Sequence, residues 1–122
     1  MADVVNWFEI PVSDLARAKR FYEAILGAPL YEQRMGPYLM GFFPMEGEGV
    51  GGALVQGEGY SPSASGTMVY LNGGADLSII LARIEPAGGI VKVPKTLVTP
   101  DIGYFATFVD TEGNRVALHS RG

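Results

Sequence analysis

Two segments of the chain repeat apolar residues with the spacing of an amphipathic α-helix. They cover residues 13–27 and 76–86. Within each segment, apolar residues three or four positions apart share one helical face, and polar residues occupy the rest. The predicted buried faces are Leu15, Ala18, Tyr22, Ile25 and Leu26 in the first helix and Leu77, Ile80, Leu81 and Ile84 in the second.

The ends of both helices carry the expected signals. Ser13 or Asp14 can accept hydrogen bonds from the free N–H groups at the start of the first helix. Gly27 suits the left-handed residue that commonly follows a helix. Pro86 lacks an N–H group, so we expect the second helix to end near Glu85.

Eight short stretches are rich in β-branched and aromatic residues, which is typical of strands. One precedes each helix and three follow it. The predicted strands cover residues 5–12, 29–33, 38–43 and 50–56 in the first half, and 67–72, 90–98, 104–109 and 115–119 in the second. The last two strands of each half are separated by acidic, glycine-bearing segments, 45–49 and 110–114, which we expect to form tight hairpin turns.

The order strand, helix, three strands therefore occurs twice. Asp14 and Asp76, which open the two helices, lie half the chain apart. A period this long, repeated once, indicates a duplicated unit. We predict an α+β fold in which residues 1–122 form one domain of two modules, roughly 1–60 and 61–122.

Composition narrows the possible partners. The chain has 122 residues, a net charge of −4 and no cysteine, and its basic residues are scattered. These features argue against nucleic acid as a partner and fit a reducing cytoplasm. The longest apolar run is too short for a membrane span, and the acidic N-terminus lacks the basic region of a secretory signal. We therefore expect a cytoplasmic protein without membrane association.

Three stretches resemble the glyoxalase/bleomycin resistance/dioxygenase, or vicinal oxygen chelate (VOC), superfamily. They are VNWFEIPVSDLARAKRFYEAILG (5–27), ILARIEPAGG (80–89) and GYFATFVDTEGNRVALHS (103–120). The resemblance implies paired βαβββ modules that form an open sheet with a ligand cavity, and a homodimer. Relatives include glyoxalase I, extradiol dioxygenases and metal-free proteins that sequester bleomycin-type drugs, so the fold alone does not fix the function.

The usual metal ligands of this superfamily are not found at the matching positions. Relatives carry His, Glu or Gln there, because a divalent ion needs lone pairs. This chain has Trp7 and Val69 at the first-strand positions and Ala117 at the closing-strand position, and residues 50–55 contain no donor side chain. We therefore expect no metal cofactor.

Glu9 and His119 are the candidate catalytic residues. Strand alternation places Trp7 and Glu9 on one face and Phe8, Ile10 and Val12 on the other. Glu9 could act as a general base or accept a ligand hydrogen bond, or it could pair with a nearby lysine or arginine. His119, the single histidine, suits proton transfer, or it could be a surface residue near the C-terminus.

An aromatic surface is the candidate ligand site. Tyr38, Met40 and Phe42 share one strand face, and Phe105 shares another with Thr107 and Val109; each could equally be core. If they line the cavity with Trp7, it would suit a flat, apolar molecule. The segments 57–66 and 99–102 could close over such a ligand, or only connect elements.

Three functions remain open at this stage. The first is metal-free binding of a small, largely apolar organic molecule, by sequestration. The second is an enzyme: a metal-dependent lyase or dioxygenase, or a metal-free acid/base isomerase that uses Glu9 and His119. The third is a structural module without a ligand cavity.

Overall fold

The computed structural model describes residues 3–122. Met1 and Ala2, part of the N-terminal segment interpreted above as lacking a secretory signal, lie outside them. In chain order the elements are β1 (Trp7–Pro11), α1 (Leu15–Leu26), β2 (Tyr31–Met35), β3 (Tyr38–Phe42), β4 (Gly51–Gln56), β5 (Tyr70–Asn72), α2 (Ser78–Ile84), β6 (Ile90–Thr99), β7 (Gly103–Val109) and β8 (Arg115–Ser120).

The strands form two four-stranded sheets with the same order. Sheet A runs β1-β4-β3-β2 and sheet B runs β5-β8-β7-β6. In each sheet the strand that comes first in the chain is parallel to its neighbour: β1 to β4, and β5 to β8. All other neighbouring strands are antiparallel. The predicted α+β fold of two βαβββ units is confirmed. Neither helix of the described residues is long and apolar enough to span a membrane.

Helix α1 forms where its apolar face and its capping residues predict it. The Asp14 side chain accepts a hydrogen bond from the Arg17 backbone N–H at 3.1 Å and caps the start. Gly27 ends the helix with a left-handed φ of 69°, which glycine adopts without a Cβ clash. The predicted face is buried, apart from Leu26, which is partly buried.

Three predicted elements differ from the structure. Residues 43–50 form a long connection between β3 and β4 instead of a tight turn, whereas 110–114 join β7 to β8 directly. Strand β2 spans Tyr31–Met35, two residues later than predicted. Strand β5 spans only Tyr70–Asn72, because only these residues align with β8 in the parallel ladder.

Helix α1 packs against both sheets, so one core serves the whole fold. The Phe21 ring lies 6.0 Å from that of Phe108 on β7, measured between centroids. The Tyr22 ring lies 5.4 Å from that of Phe43, which follows β3. Residues from both sheets and both helices belong to this single buried cluster. We call the side of each sheet that faces it the helix-covered face, and the opposite side the open face.

A polar network joins the turn 110–114 to helix α1, to the end of β1 and to the segment 57–66. The Tyr22 hydroxyl donates to Asp110 Oδ2 at 2.7 Å, and both residues are buried. Burial, followed by the negative charge of Asp110, raises the pKa of Tyr22 well above its ordinary value. Asn114 Nδ2 donates to the Pro11 carbonyl at 2.7 Å, and Asn114 Oδ1 accepts from the Ser63 N–H at 3.0 Å.

Glu112, in the same turn, binds the start of α1. Its Oε1 accepts from the Ser13 and Asp14 N–H groups, each at 2.9 Å. Its Oε2 lies 2.7 Å from Arg17 Nε. A carboxylate at this place accepts hydrogen bonds from the free N–H groups and is attracted to the positive end of the helix dipole. The second half of the chain thus caps the helix of the first.

Removing the Tyr22 hydroxyl is expected to destabilise the fold. Tyr22→Phe leaves buried Asp110 with one donor fewer, which costs about 2 kcal/mol of unfolding free energy. The control is Tyr31→Phe, the same change at a side chain that is 66% exposed. Urea denaturation measures both. Equal stability of the two variants would contradict this role for the network.

The contacts of Glu112 with the start of α1 also predict that the stability of the fold depends on pH. Burial raises the pKa of Glu112, but hydrogen bonds from Arg17, Asp14 and Ser13 outweigh it and hold this pKa below the ordinary 4.5. A lowered folded-state pKa gives stability that is present above 4.5 and is lost as pH falls through the folded value.

We therefore expect the stability gap between the wild type and Glu112→Gln to be constant near neutrality and to shrink as the solution is acidified below pH 4.5. Denaturation at a series of pH values measures it. Glu32→Gln, at an exposed carboxylate of β2, is the control for general loss of charge. If the difference in stability between the wild type and Glu112→Gln stayed constant down to strong acid, this stabilising role of the Glu112 carboxylate would be refuted.

Candidate functional site

Strand β1 places two predicted site residues on the open face of sheet A. Trp7 is 43% exposed and Glu9 is exposed, while Ile10 and Val12 are buried in the core and Phe8 packs against it. This is the alternation predicted from the sequence. In the register of the sheet, Trp7 lies beside Gly51 and Glu9 beside Ala53 of β4. A Cβ at position 51 would come within 2.9 Å of the Trp7 ring, so Gly51 leaves room for the indole.

Aromatic residues extend this surface across sheet A. The Trp7 and Phe42 ring centroids are 6.0 Å apart, and those of Phe42 and Tyr31 are 6.3 Å apart. Met40 is buried on the same face, in a small apolar cluster with β4 and the rings of Tyr38 and Phe42. The predicted set of Trp7, Tyr38, Met40 and Phe42 thus shares one face of one sheet. We call this the aromatic face.

Glu9 is oriented by two neutral donors. The Tyr60 hydroxyl donates to Glu9 Oε1 at 2.6 Å, and the Trp7 indole N–H donates weakly to Oε2 at 3.4 Å. The hydrogen bond to Glu9 raises the pKa of Tyr60. Within residues 3–122, no lysine or arginine lies at ion-pair distance from Glu9. The alternative of a Glu9 ion pair is therefore wrong for this structure.

Tyr60 was not singled out from the sequence. It lies in the segment 57–66, which was considered only as a lid or connection. The Tyr60 ring packs edge-on against Tyr38 at 5.4 Å, and a Cβ at Gly57 would clash with the Tyr38 ring. The segment therefore supplies a wall of the site. The sequence signal for Tyr60 is that it is the one aromatic residue of this segment and lies between two glycine-bearing stretches.

A cleft of about 800 Å³ adjoins β1. Its lining includes Trp7 and Glu9 on one side and residues 67–72, which contain β5, on the other. Tyr70, which is 52% exposed, projects from β5 and was also missed from the sequence. The cleft thus connects the aromatic face of sheet A to the first strand of sheet B.

His119 and Phe105 lie on sheet B, in a different cavity. They are register partners on β8 and β7 and line a cavity of about 910 Å³. His119 Nε2 lies 2.6 Å from the Ile102 carbonyl oxygen. Because a carbonyl only accepts, Nε2 carries the proton in this contact. His119 is thus tied to the segment 99–102.

The structure therefore divides the predicted site residues into two groups. Glu9 belongs to the aromatic face, while His119 and Phe105 belong to the cavity on sheet B. The two cavities meet along β5, where both are lined by Tyr70, Leu71 and Asn72. Neither of these two cavities, both formed by residues within 3–122, is lined by Glu9 and His119 together.

The positions at which relatives hold a metal do not offer a fitting ligand set. In the register of the sheets, Trp7 lies beside Gly51, and Ala117 lies beside Tyr70. Val69, by contrast, packs against the core. The open-face position on β5 is thus Tyr70, one residue beyond the position inferred from spacing. Over residues 3–122, no group of three or more His, Cys, Asp or Glu side chains could hold an ion. These residues do not fit a divalent metal held by imidazole and carboxylate groups.

Comparison with solved structures supports the fold over the full chain. The chain is 26% identical to TnmS3, an antibiotic binding protein from a Streptomyces species, with a TM-score of 0.69, covering 100% of this chain and 99% of that one. It is 17% identical to a glyoxalase/bleomycin resistance protein from Albidiferax ferrireducens, with a TM-score of 0.71, covering 98% and 100%.

A third solved structure is longer. Glyoxalase I from Zea mays is 20% identical with a TM-score of 0.71, covering 97% of this chain and 44% of the maize chain. This chain thus spans less than half of that enzyme. No protein with a curated description matches the chain.

The family assignment rests on sequence as well as on fold. A family model described as Glyoxalase/Bleomycin resistance protein/Dioxygenase superfamily matches residues 4–118, nearly the whole chain. The paired sheets and the solved structures agree with this match. The chain belongs to the glyoxalase/bleomycin resistance protein/dioxygenase superfamily.

Proposed function

We propose that this protein binds a small, largely apolar organic molecule on the aromatic face of sheet A and sequesters it without a metal. The observation that carries the proposal is the oriented carboxylate of Glu9 within a surface of aromatic rings. Ligand sites are commonly apolar clefts with a few placed polar groups that fix orientation. Here Trp7 and Phe42 supply apolar area, Met40 belongs to the buried cluster against which Phe42 packs, and Glu9 supplies the polar anchor.

The comparisons support binding in general terms. The relative at 26% identity is described as an antibiotic binding protein, and the match covers 99% of its chain. Metal-dependent catalysis would require ligand side chains at the positions that carry Trp7, Tyr70 and Ala117 in this chain. These observations support ligand binding over metal-dependent catalysis as the function. Its cytoplasmic location remains a prediction from composition.

Truncation of Trp7 tests the binding site. A ligand is first identified from a panel of antibiotics and aromatic metabolites by the rise in melting temperature that binding causes. Trp7→Ala is then expected to weaken this ligand by about tenfold or more, because stacking area is lost. Since Trp7 is partly exposed, the fold should survive the change.

The control is Ile79→Ala, which also removes an exposed apolar side chain, but from α2. Its affinity should match that of the wild type in calorimetric titration. Phe105→Ala reports whether the cavity on sheet B also contributes to binding. Unchanged affinity in Trp7→Ala would contradict the proposed site.

We further propose a homodimer. The cavity on sheet B is lined by three exposed, large hydrophobic side chains, Tyr70, Val98 and Ile102, with exposed fractions of 52%, 45% and 52%. A patch of this kind is typical of an interaction surface. A second copy of the chain would cover it and narrow the cavity.

Light scattering during gel filtration tests this dimer. The wild type is expected to elute with twice the mass of one chain, and Val98→Glu with the mass of one chain, because a buried unpaired charge is unfavourable. Ile79→Glu, a matched change on α2, should leave the dimer intact. A wild type that is monomeric at high concentration would overturn the proposed dimer.

A further inference from the structure

We propose that the ligand of the aromatic face carries a positive charge, as an amine or quaternary ammonium group attached to an apolar frame. This inference rests on the proposed binding function and names the chemical class that the site selects. The observation behind it is the geometry of Glu9, a carboxylate that is fixed in place but not neutralised.

Both donors to Glu9 are uncharged. The Tyr60 hydroxyl occupies one position on Oε1, and the Trp7 indole N–H approaches Oε2. A carboxylate can accept about four hydrogen bonds. Glu9 is exposed to the cleft, so its remaining lone pairs are open to a ligand. The carboxylate is thus available to a ligand at a defined point of the site.

The surrounding rings favour the same sign of charge. Aromatic faces carry negative potential, and a cation placed over them is attracted. Neighbouring rings pack in pairs across this surface: Trp7 with Phe42, Phe42 with Tyr31, and Tyr38 with Tyr60. A cationic group next to Glu9 would therefore interact with a carboxylate and with aromatic faces together.

Among the described residues (3–122) that line the cleft of about 800 Å³, Glu9 is the one charged side chain. Arg115 shares a second, smaller cleft of about 160 Å³ with Glu9, on the side of the serine-bearing segment 61–65, but forms no ion pair with it. On sheet A, Glu32 pairs with Gly41, whose Cβ position points at Leu15 of α1, so Glu32 belongs to the helix-covered side. An anionic ligand in the larger cleft would meet the Glu9 carboxylate, and none of the described residues that line this cleft carries a positive charge.

Three compounds with one ring system and different charge test the inference: 2-naphthylmethyl-trimethylammonium, 2-naphthalenemethanol and 2-naphthylacetate. Calorimetry gives their affinities, and the indole N–H resonance of Trp7, the only tryptophan, reports binding at the site. We expect the cation to bind about tenfold or more tightly than the neutral alcohol, and the anion to bind weakest.

Glu9→Gln is the deciding variant, because glutamine keeps an acceptor for the Tyr60 hydroxyl and removes the charge. The preference for the cation over the neutral alcohol should fall to about onefold in this variant. Glu32→Gln removes a carboxylate from the same sheet, on its other side, and should retain the preference. Added salt should reduce the preference in the wild type.

The outcomes separate the inference from the function on which it rests. Binding of the alcohol without a preference for the cation, or a preference that persists in Glu9→Gln, would overturn the inference and leave the binding function standing. If none of the three compounds moved the Trp7 resonance, the binding function and the inference would both be overturned.

Discussion

The fold depends on the contact between the turn 110–114 and helix α1. An α-helix begins with free N–H groups and a positive dipole end, and it needs an acceptor there. Asp14 supplies one from the same chain segment, but Glu112 supplies the second from the far end of the sequence. Beneath it, Tyr22 and Asp110 form a buried hydrogen bond that fixes the depth of the helix against sheet B. Because α1 also packs on sheet A, this one contact sets how the two sheets meet.

Much of this architecture could be predicted from the sequence, because periodicity records which side of an element is buried. The stripe of α1 and the alternation of β1 both hold in the structure. Predictions failed where periodicity carried no information. Residues 43–50 offer glycines and acidic residues that suit either a tight turn or a long connection. On β5, spacing placed Val69 at the open face, whereas Tyr70 lies there. Since strand side chains alternate, an error of one residue moves a side chain to the opposite face.

The candidate site was predictable to the same extent. Trp7, Glu9, Tyr38, Met40 and Phe42 share a face because alternation and strand pairing place them together. The sequence could not show that Phe105 and His119 belong to another cavity, since alternation assigns a face but not a sheet. Tyr60 was missed because its bond to Glu9 joins residues far apart in sequence, one of them in a loop without periodicity. Such contacts are fixed by tertiary packing, which local patterns do not record.

The neutral donors to Glu9 decide what the site can recognise. If a lysine or arginine were paired with this carboxylate, a cationic ligand would have to displace that basic side chain. The free energy gained from the new ion pair would then be offset by the loss of the old one. Removing one charged partner from such a pair is also strongly unfavourable. A hydroxyl and an indole N–H hold the carboxylate in place and leave its charge uncompensated. The aromatic rings around it cannot supply that compensation, because their faces are negative as well. A cationic ligand, as proposed above, would supply the opposite charge that the rings do not, and this follows from Tyr60 and Trp7 as much as from Glu9.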